Sequence, residues 1–538
     1  MSQRTIKRPL FWSGALIALL VLLAAAGCGK GESTSPEVAQ LQQQVAQKEA
    51  EVAQLQKQKE TEVAQLQQQV AQKEAEAGQA QASVQELQSQ LSSMSPSTVV
   101  QAGQLQPAPA AAQPTGWDTE ESIRGGLQLV ATYDSSGPDA WDVKAHPLVY
   151  MTSEGRGYNH RPSKTNQLPG VQVIDAYTKE VVASALFDLG GEPTRQPHGL
   201  GVSPDGKWVY IGFSQKAASG ENQNWTLIIN ARTLKLDMVV EHKGGQNLHH
   251  VSSFKDWEGR DRVILEYGFG SNGGPHFLID PKDNNRVVRA ITYEDTRYQM
   301  GHPFLTVDPT GKFLYVQLEI TAWRDIAEDI GGIAKINLET GAVTIIPGVG
   351  VHPIGVAHTA DGKFTYVVDG HGSRVYKIDD ETNEVVGNTS AGVAGPYGIA
   401  LNWDESQIWT VGKGEGSHNT GGVLGVIDTE TFSPSRDINQ PVDIGGAIID
   451  HAFLHPDPKV NELWVSSAGT WETIVVDLNT NEVKARIPSP HGGDTHSGAF
   501  VRYNQDWSGE VLADHGGPQK AMYQTKLSMI NATAALNK

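Results

Sequence analysis

Cysteine is almost missing: the 538 residues contain one, Cys28. A chain with a single thiol forms no intrachain disulfide, and it cannot build a thiolate zinc site, an iron–sulfur cluster or a CxxCH haem attachment. Any metal must be held by nitrogen and oxygen. Positive charge is also scarce, with 42 Lys and Arg against 61 Asp and Glu, a net charge of −19. Such a chain repels a phosphate polymer, which disfavours nucleic acid, and none is expected as a partner. Past the N-terminal region there is no long helical pattern and no long apolar run, so the bulk of the chain reads as many short strands.

The one long apolar run lies at the start, "MSQRTIKRPLFWSGALIALLVLLAAAGC". Arg4, Lys7 and Arg8 precede an apolar stretch from Leu10 to Ala26, and Ala25, Ala26 and Gly27 lead into Cys28. Residues 1–28 resemble a bacterial lipoprotein signal, which implies lipidation of Cys28 and a cell-envelope location, membrane-anchored on the periplasmic side or cell surface. A plain transmembrane anchor is the alternative. Residues 35–94 are rich in Gln, Ala, Glu and Lys, and "EVAQLQQQVAQKEA" occurs at 37–50 and again at 62–75. Apolar residues at 3 and 4 spacing predict a coiled coil, either a stalk that forms homo-oligomers or a single spacer helix. Residues 95–116 are a Pro/Ala-rich linker.

From about residue 120 to 538 a unit repeats: an opening residue, a strand, a turn of the "PDG" kind, a second strand such as "WVYIG", then two more strands. His198, His250, His302, His352, Tyr397, His451 and His496 open successive units, at steps of 52, 52, 50, 45, 54 and 45 residues. Four-stranded units of this length predict an all-β fold, a seven-bladed or eight-bladed β-propeller. The unit from His496 is too short to be complete, and "GLQLVATY" at 126–133 is the expected partner that closes it.

In a propeller the innermost strands all begin on one face, and the loops from second to third strands return to it. That face collects His198, His249, His250, His302, His352, His451 and His496 from strand starts, and His160, His371, His418 and His515 from loops. His146, His358 and His455 fall on the opposite face and His242 between blades, where structural roles are expected. Imidazoles around one mouth, with no thiolate near, favour copper, zinc, iron or nickel over calcium or magnesium. Glu266 and Gln317 end second strands in equivalent places, and Lys413, Glu415, Asp494 and Trp323 lie in neighbouring loops. Glu266 is a base or orienting group on one reading and a capping side chain on another.

A propeller with a histidine-lined mouth resembles the nitrous oxide reductase catalytic domain, although no cysteine is left to build that family's cupredoxin site. The closer resemblance is to the copper-dependent thiocyanate dehydrogenases, exported propellers with a multinuclear copper centre, and it covers residues 120–538. His352, His418, His451 and His496 are similar to that family's ligands in order and spacing, and His198 and His160 to its N-terminal pair. Glu266 and Gln317 resemble its catalytic acidic and amide groups, while His250 and His302 line the pocket without an assigned role. The resemblance implies an oxidoreductase that takes a small inorganic sulfur anion, thiocyanate, to cyanate and sulfur and passes electrons to an external acceptor such as a cytochrome c. Two other readings stand beside it: a non-catalytic YVTN-like surface propeller that binds a partner, and a haem-binding propeller.

Overall fold

The computed structural model describes residues 115–536, apart from 143–145, 154–167, 196, 246, 269–273, 297–303, 319–330, 416–420 and 437–439. It divides the chain into two compact units, Met1–Ser95 and Pro96–Lys538. In the first unit a few positions between Gln43 and Lys59 are described, and they are helical and exposed. The signal segment with Cys28, the rest of the 35–94 coil and the linker as far as residue 114 lie outside the described residues.

Among the described residues of the second unit there are seven antiparallel sheets, as expected for a seven-bladed propeller. The first blade contains Leu200–Val202, Trp208–Lys216, Asn222–Asn230 and Leu236–His242. The second runs from Leu248–Lys255 through Asp261–Tyr267 and His276–Asp280 to Arg286–Ile291. The third to sixth blades open at Thr306–Val307, Pro353–His358, Pro396–Leu401 and Ile449–Leu454. Innermost strands contact one another between the seventh and first, first and second, fourth and fifth, and fifth and sixth blades.

Burial follows from this stacking. A blade is covered on both faces by its neighbours, so second strands such as Phe364–Asp369 and Glu462–Ser467 are buried almost residue by residue. The outermost strands Glu384–Ser390 and Glu482–Pro488 alternate between half-buried and exposed, because one of their faces meets water. Turn chemistry joins the strands: at "SPDG" the Gly206 N–H donates to Ser203 O at 2.7 Å, with φ of +72° at Gly206.

The seventh blade corrects the expected closure. Its C-terminal strand Gly498–Tyr503 pairs with Leu148–Thr152, and Gly170–Asp175 and Val181–Leu186 complete the sheet. The "GLQLVATY" segment instead forms Leu127–Thr132, which adds to the outer edge of the first blade through Leu236–His242. The physical reason is visible in its burial: Leu127 and Leu129 are buried while Gln128 and Val130 are exposed, the pattern of an edge strand. Beyond Tyr503 the chain returns as Gly509–Asp514 on the inner side of Gly498–Tyr503, against the innermost strands of the second and sixth blades. The final helix, Lys520–Leu536, is fastened by buried Lys526, whose Nζ lies 3.2 Å from Glu405 Oε1.

Candidate metal centre

Small residues at the starts of innermost strands bring the histidines together. In "PHG" a Cβ on Gly199 would lie 2.3 Å from the His249 carbonyl oxygen and 2.4 Å from His250 Cα. Gly398 stands in the same relation to the next blade, 2.6 Å from Asp450 O and 3.0 Å from His451 Cα. A side chain at either position would push the neighbouring strand outward, so glycine here is a device for close approach.

The result is a triangle of imidazole nitrogens. His250 Nε2 lies 2.9 Å from His451 Nε2 and 3.2 Å from His496 Nε2, and the last two are 3.2 Å apart. All three residues are fully buried. An N–H···N bond satisfies one pair at a time and leaves the third nitrogen facing lone pair or proton at repulsive distance. Three neutral nitrogens at this spacing can all reach one cation at about 2.0–2.1 Å, the usual imidazole–metal bond length. The donor set therefore fits a first-row transition metal ion.

More rings enclose the triangle. His198 packs on His496 with centroids 3.4 Å apart, and His249 stacks on His198 at 4.5 Å. His515, carried on the inner hairpin, lies 5.0 Å from His250 and 5.4 Å from His451, and its ring nitrogens have no hydrogen-bond partner among the described residues. Phe304 lies nearly parallel to His451 at 4.8 Å, and the Tyr397 ring is 5.0 Å from His451.

Carboxylates sit behind the triangle. His496 Nδ1 faces Asp450 Oδ2 at 3.2 Å and Asp494 Oδ2 at 3.6 Å, and its Nε2 points to the centre. This carboxylate–imidazole arrangement is the one that orients metal ligands and raises their basicity. Lys413 completes the layer, with Nζ 2.8 Å from Asp450 Oδ1, 3.1 Å from Glu415 Oε1 and 3.7 Å above the Tyr397 ring. Burial, reinforced by neighbouring imidazoles, pushes His250, His451 and His198 well below the ordinary histidine range. Burial, and next the neighbouring His496, pushes His515 down to about 3. These rings are neutral at pH 7, the form in which imidazole binds metal. Burial also opposes charge on His496, but Asp450 and Asp494 outweigh it and raise its pKa.

A second group stands apart from the triangle. His352 stacks on His371 with centroids 4.2 Å apart and planes 18° from parallel. One donor atom from each of His352, His371 and Glu415 lies within 4.8 Å of the others. His352, expected as a ligand beside His451 and His496, belongs to this group among the described residues.

Glu266 pairs across strands with both His250 and His276. Burial pushes its carboxyl up to about 8, against the Leu305 N–H and the Ser252 hydroxyl. Ser252 Oγ is 2.7 Å from Glu266 Oε1 and 2.8 Å from Leu305 O, and its single proton serves one of them. A protonated Glu266 that donates to Ser252, while Ser252 donates to Leu305 O, satisfies every atom. Both ends of the Gln317 amide are taken by the backbone N–H and carbonyl of Phe304, so Gln317 positions the ring that covers His451.

The opposite-face histidines, and His242 between blades, have the structural partners expected of them. His358 lies 2.9 Å from Thr306 Oγ1 and 2.8 Å from Thr365 Oγ1, His242 lies 3.1 Å from the Gly125 carbonyl, and His455 Nδ1 accepts from Asp457 N–H. His146 pairs with Asp175 at 2.8 Å. His160, His302, His418 and Trp323 lie outside the described residues. Sequence reasoning overlooked Asp450 and His276. The signal for Asp450 was the doublet "DH" at 450–451, a carboxylate beside a strand-opening imidazole, and for His276 the strand register with Glu266.

No protein-family profile and no curated protein sequence matches the chain. Among solved structures it is similar to "Dihydro-heme d1 dehydrogenase NirN in complex with DHE", at 16% identity and a TM-score of 0.43, over 76% of this chain and 79% of that one. A putative 6-phosphogluconolactonase from Bacteroides fragilis is similar at 15% identity and 0.43, over 64% and 95%. The Dos1 propeller is similar at 12% identity and 0.38, over 56% and 72%.

Proposed function

We propose that the propeller is a copper oxidoreductase of the cell envelope that acts on a small sulfur anion, with thiocyanate the first candidate. The observation that carries this reading is the convergence of three buried Nε2 atoms, backed by Asp450 and Asp494 at His496. His250, His451 and His496 hold the ion, with His198 and His515 against them, and the expected ligands His160 and His418 remain part of the proposal. Copper bound there supplies redox capacity and Lewis acidity that amino-acid side chains lack. Asp450 keeps the His496 ring turned with Nε2 inward. The net charge of −19 repels an anion at longer range, and Lys413 is held by Asp450 and Glu415, so the local positive charge an anion needs would come from the bound metal. Glu266, cross-strand from His250, is the proposed proton carrier. Phe304 and Tyr397 wall the triangle and exclude water on their side.

The reaction balances as thiocyanate plus water giving cyanate, elemental sulfur, two protons and two electrons, the electrons leaving to an acceptor such as a cytochrome c. The test is thiocyanate-dependent reduction of cytochrome c by copper-loaded protein. Reduction that disappears in His451→Ala supports the assignment, and full copper loading without any reduction overturns the thiocyanate reading while leaving the metal site standing.

A further inference from the structure

Lys413 stands between two groups of donors, and the second has a composition of its own. Its three side chains come from three places: His352 immediately precedes the innermost strand of the fourth blade, His371 lies in the turn between that blade's second and third strands, and Glu415 follows Gln407–Gly412 of the fifth blade. His352 is buried, and its backbone N–H donates to Asp369 Oδ1 at 3.0 Å, which fixes where the ring begins. The next turn is packed tightly against that anchor: a Cβ on Gly372 would lie 2.1 Å from Asp369 Oδ2, and one on Gly370 3.0 Å from both Glu415 Cβ and His352 Cδ2. A single aspartate thus holds the backbone of His352 while the glycines flanking His371 allow the three donors to close within 4.8 Å.

We infer that His352, His371 and Glu415 form a second metal site, separate from the triangle, which takes a divalent first-row ion on two imidazoles and one carboxylate. Its chemistry differs from that of the triangle, where all three donors are nitrogen. The carboxylate makes the site harder and better suited to a divalent ion than to Cu(I). Lys413 Nζ, 3.1 Å from Glu415 and 2.8 Å from Asp450, is the cation that shares Glu415. An ion in the second site competes with Lys413 for that carboxylate and leaves the lysine to Asp450, the residue that orients His496. Filling the second site therefore strengthens the carboxylate–lysine pair behind the triangle. The proposal does not rest on the redox reading of the triangle.

The experiment is a metal count on full-length, chelator-washed protein reloaded with Cu(II), in wild type, His371→Ala, Glu415→Gln and His451→Ala, with nitrogen coupling read by electron paramagnetic resonance. His371→Ala is expected to hold one ion fewer than wild type and to keep the triangle's spectrum, which also reports that it folds. Glu415→Gln is expected to bind the second ion at least about tenfold more weakly. His451→Ala is expected to keep an ion coupled to two imidazole nitrogens. Equal counts in wild type and His371→Ala overturn the second site, as does a His451→Ala protein that binds no ion. A His451→Ala count equal to wild type would instead overturn the triangle, so the two readings fail separately.

Discussion

His451 and His455 are four residues apart, both fully buried, and differ in what their rings meet. His451 Nε2 meets two other imidazoles, whereas His455 accepts from the Asp457 N–H and lies edge-on to Tyr177 and Phe500. His451→Ala is expected to abolish copper binding at the triangle with a modest loss of stability, and His455→Asn to leave copper binding intact; metal counts and thermal melts on the pair check this. His455 also carries a pH prediction. Burial, and next the Lys179 charge, depress its pKa from 6.5 to about 4. Folding favours its neutral form, so the contribution is complete above pH 6.5 and is lost as pH falls toward 4. At about 1.4 kcal/mol per unit this is on the order of 3 kcal/mol. Urea unfolding at pH 7 and pH 4 should show the wild type losing about that much more than His455→Asn. The sorting of these two histidines was legible because the repeat phase says which end of a strand a residue occupies. Which rings touch was not legible: His250 and His451 are 201 residues apart, and their contact depends on the curvature of the whole ring.

At the scale of the element, the innermost strand depends on glycine as much as on histidine. Gly398→Ala places a methyl group 2.6 Å from Asp450 O, so the sixth blade's innermost strand must shift. The expected cost is about 1–3 kcal/mol, with copper affinity at the triangle falling more than affinity at His352 and His371; equal effects on both would show that the glycine does not set the His451 position. Second strands were readable because burial on both faces makes them continuously apolar, as in "WVYIGF", and "PDG" marks their turns. The closing strand was misread for a physical reason. "LQLVAT" has the alternation of an edge strand, while the true partner, "LVYMT", is buried throughout and looks like any interior strand. The strand that carries Asp514 and leads into His515 had no repeat to follow, since it lies on the inner side of the seventh blade's opening strand.

For the whole molecule, seven blades fix a single face on which donors from the second, sixth and seventh blades meet, and the C-terminal helix holds the chain end that supplies His515. Lys526 is buried against Glu405, which also accepts from the Ala360 N–H and so links the fourth and fifth blades to the helix. Lys526→Met leaves Glu405 without its cation and is expected to cost about 3 kcal/mol, read as a lowered unfolding midpoint with copper stoichiometry unchanged in the folded protein. Loss of copper without loss of stability would mean that the helix shapes the site directly. The central claim is that buried imidazoles converge on a metal ion, and its most direct test is the electron paramagnetic resonance spectrum of chelator-washed, Cu(II)-reloaded protein beside that of His451→Ala. The predicted result is tightly held copper coupled to imidazole nitrogens of the triangle, a signal absent from the variant. Less than one tightly held copper per chain, or a spectrum unchanged by His451→Ala, would contradict it.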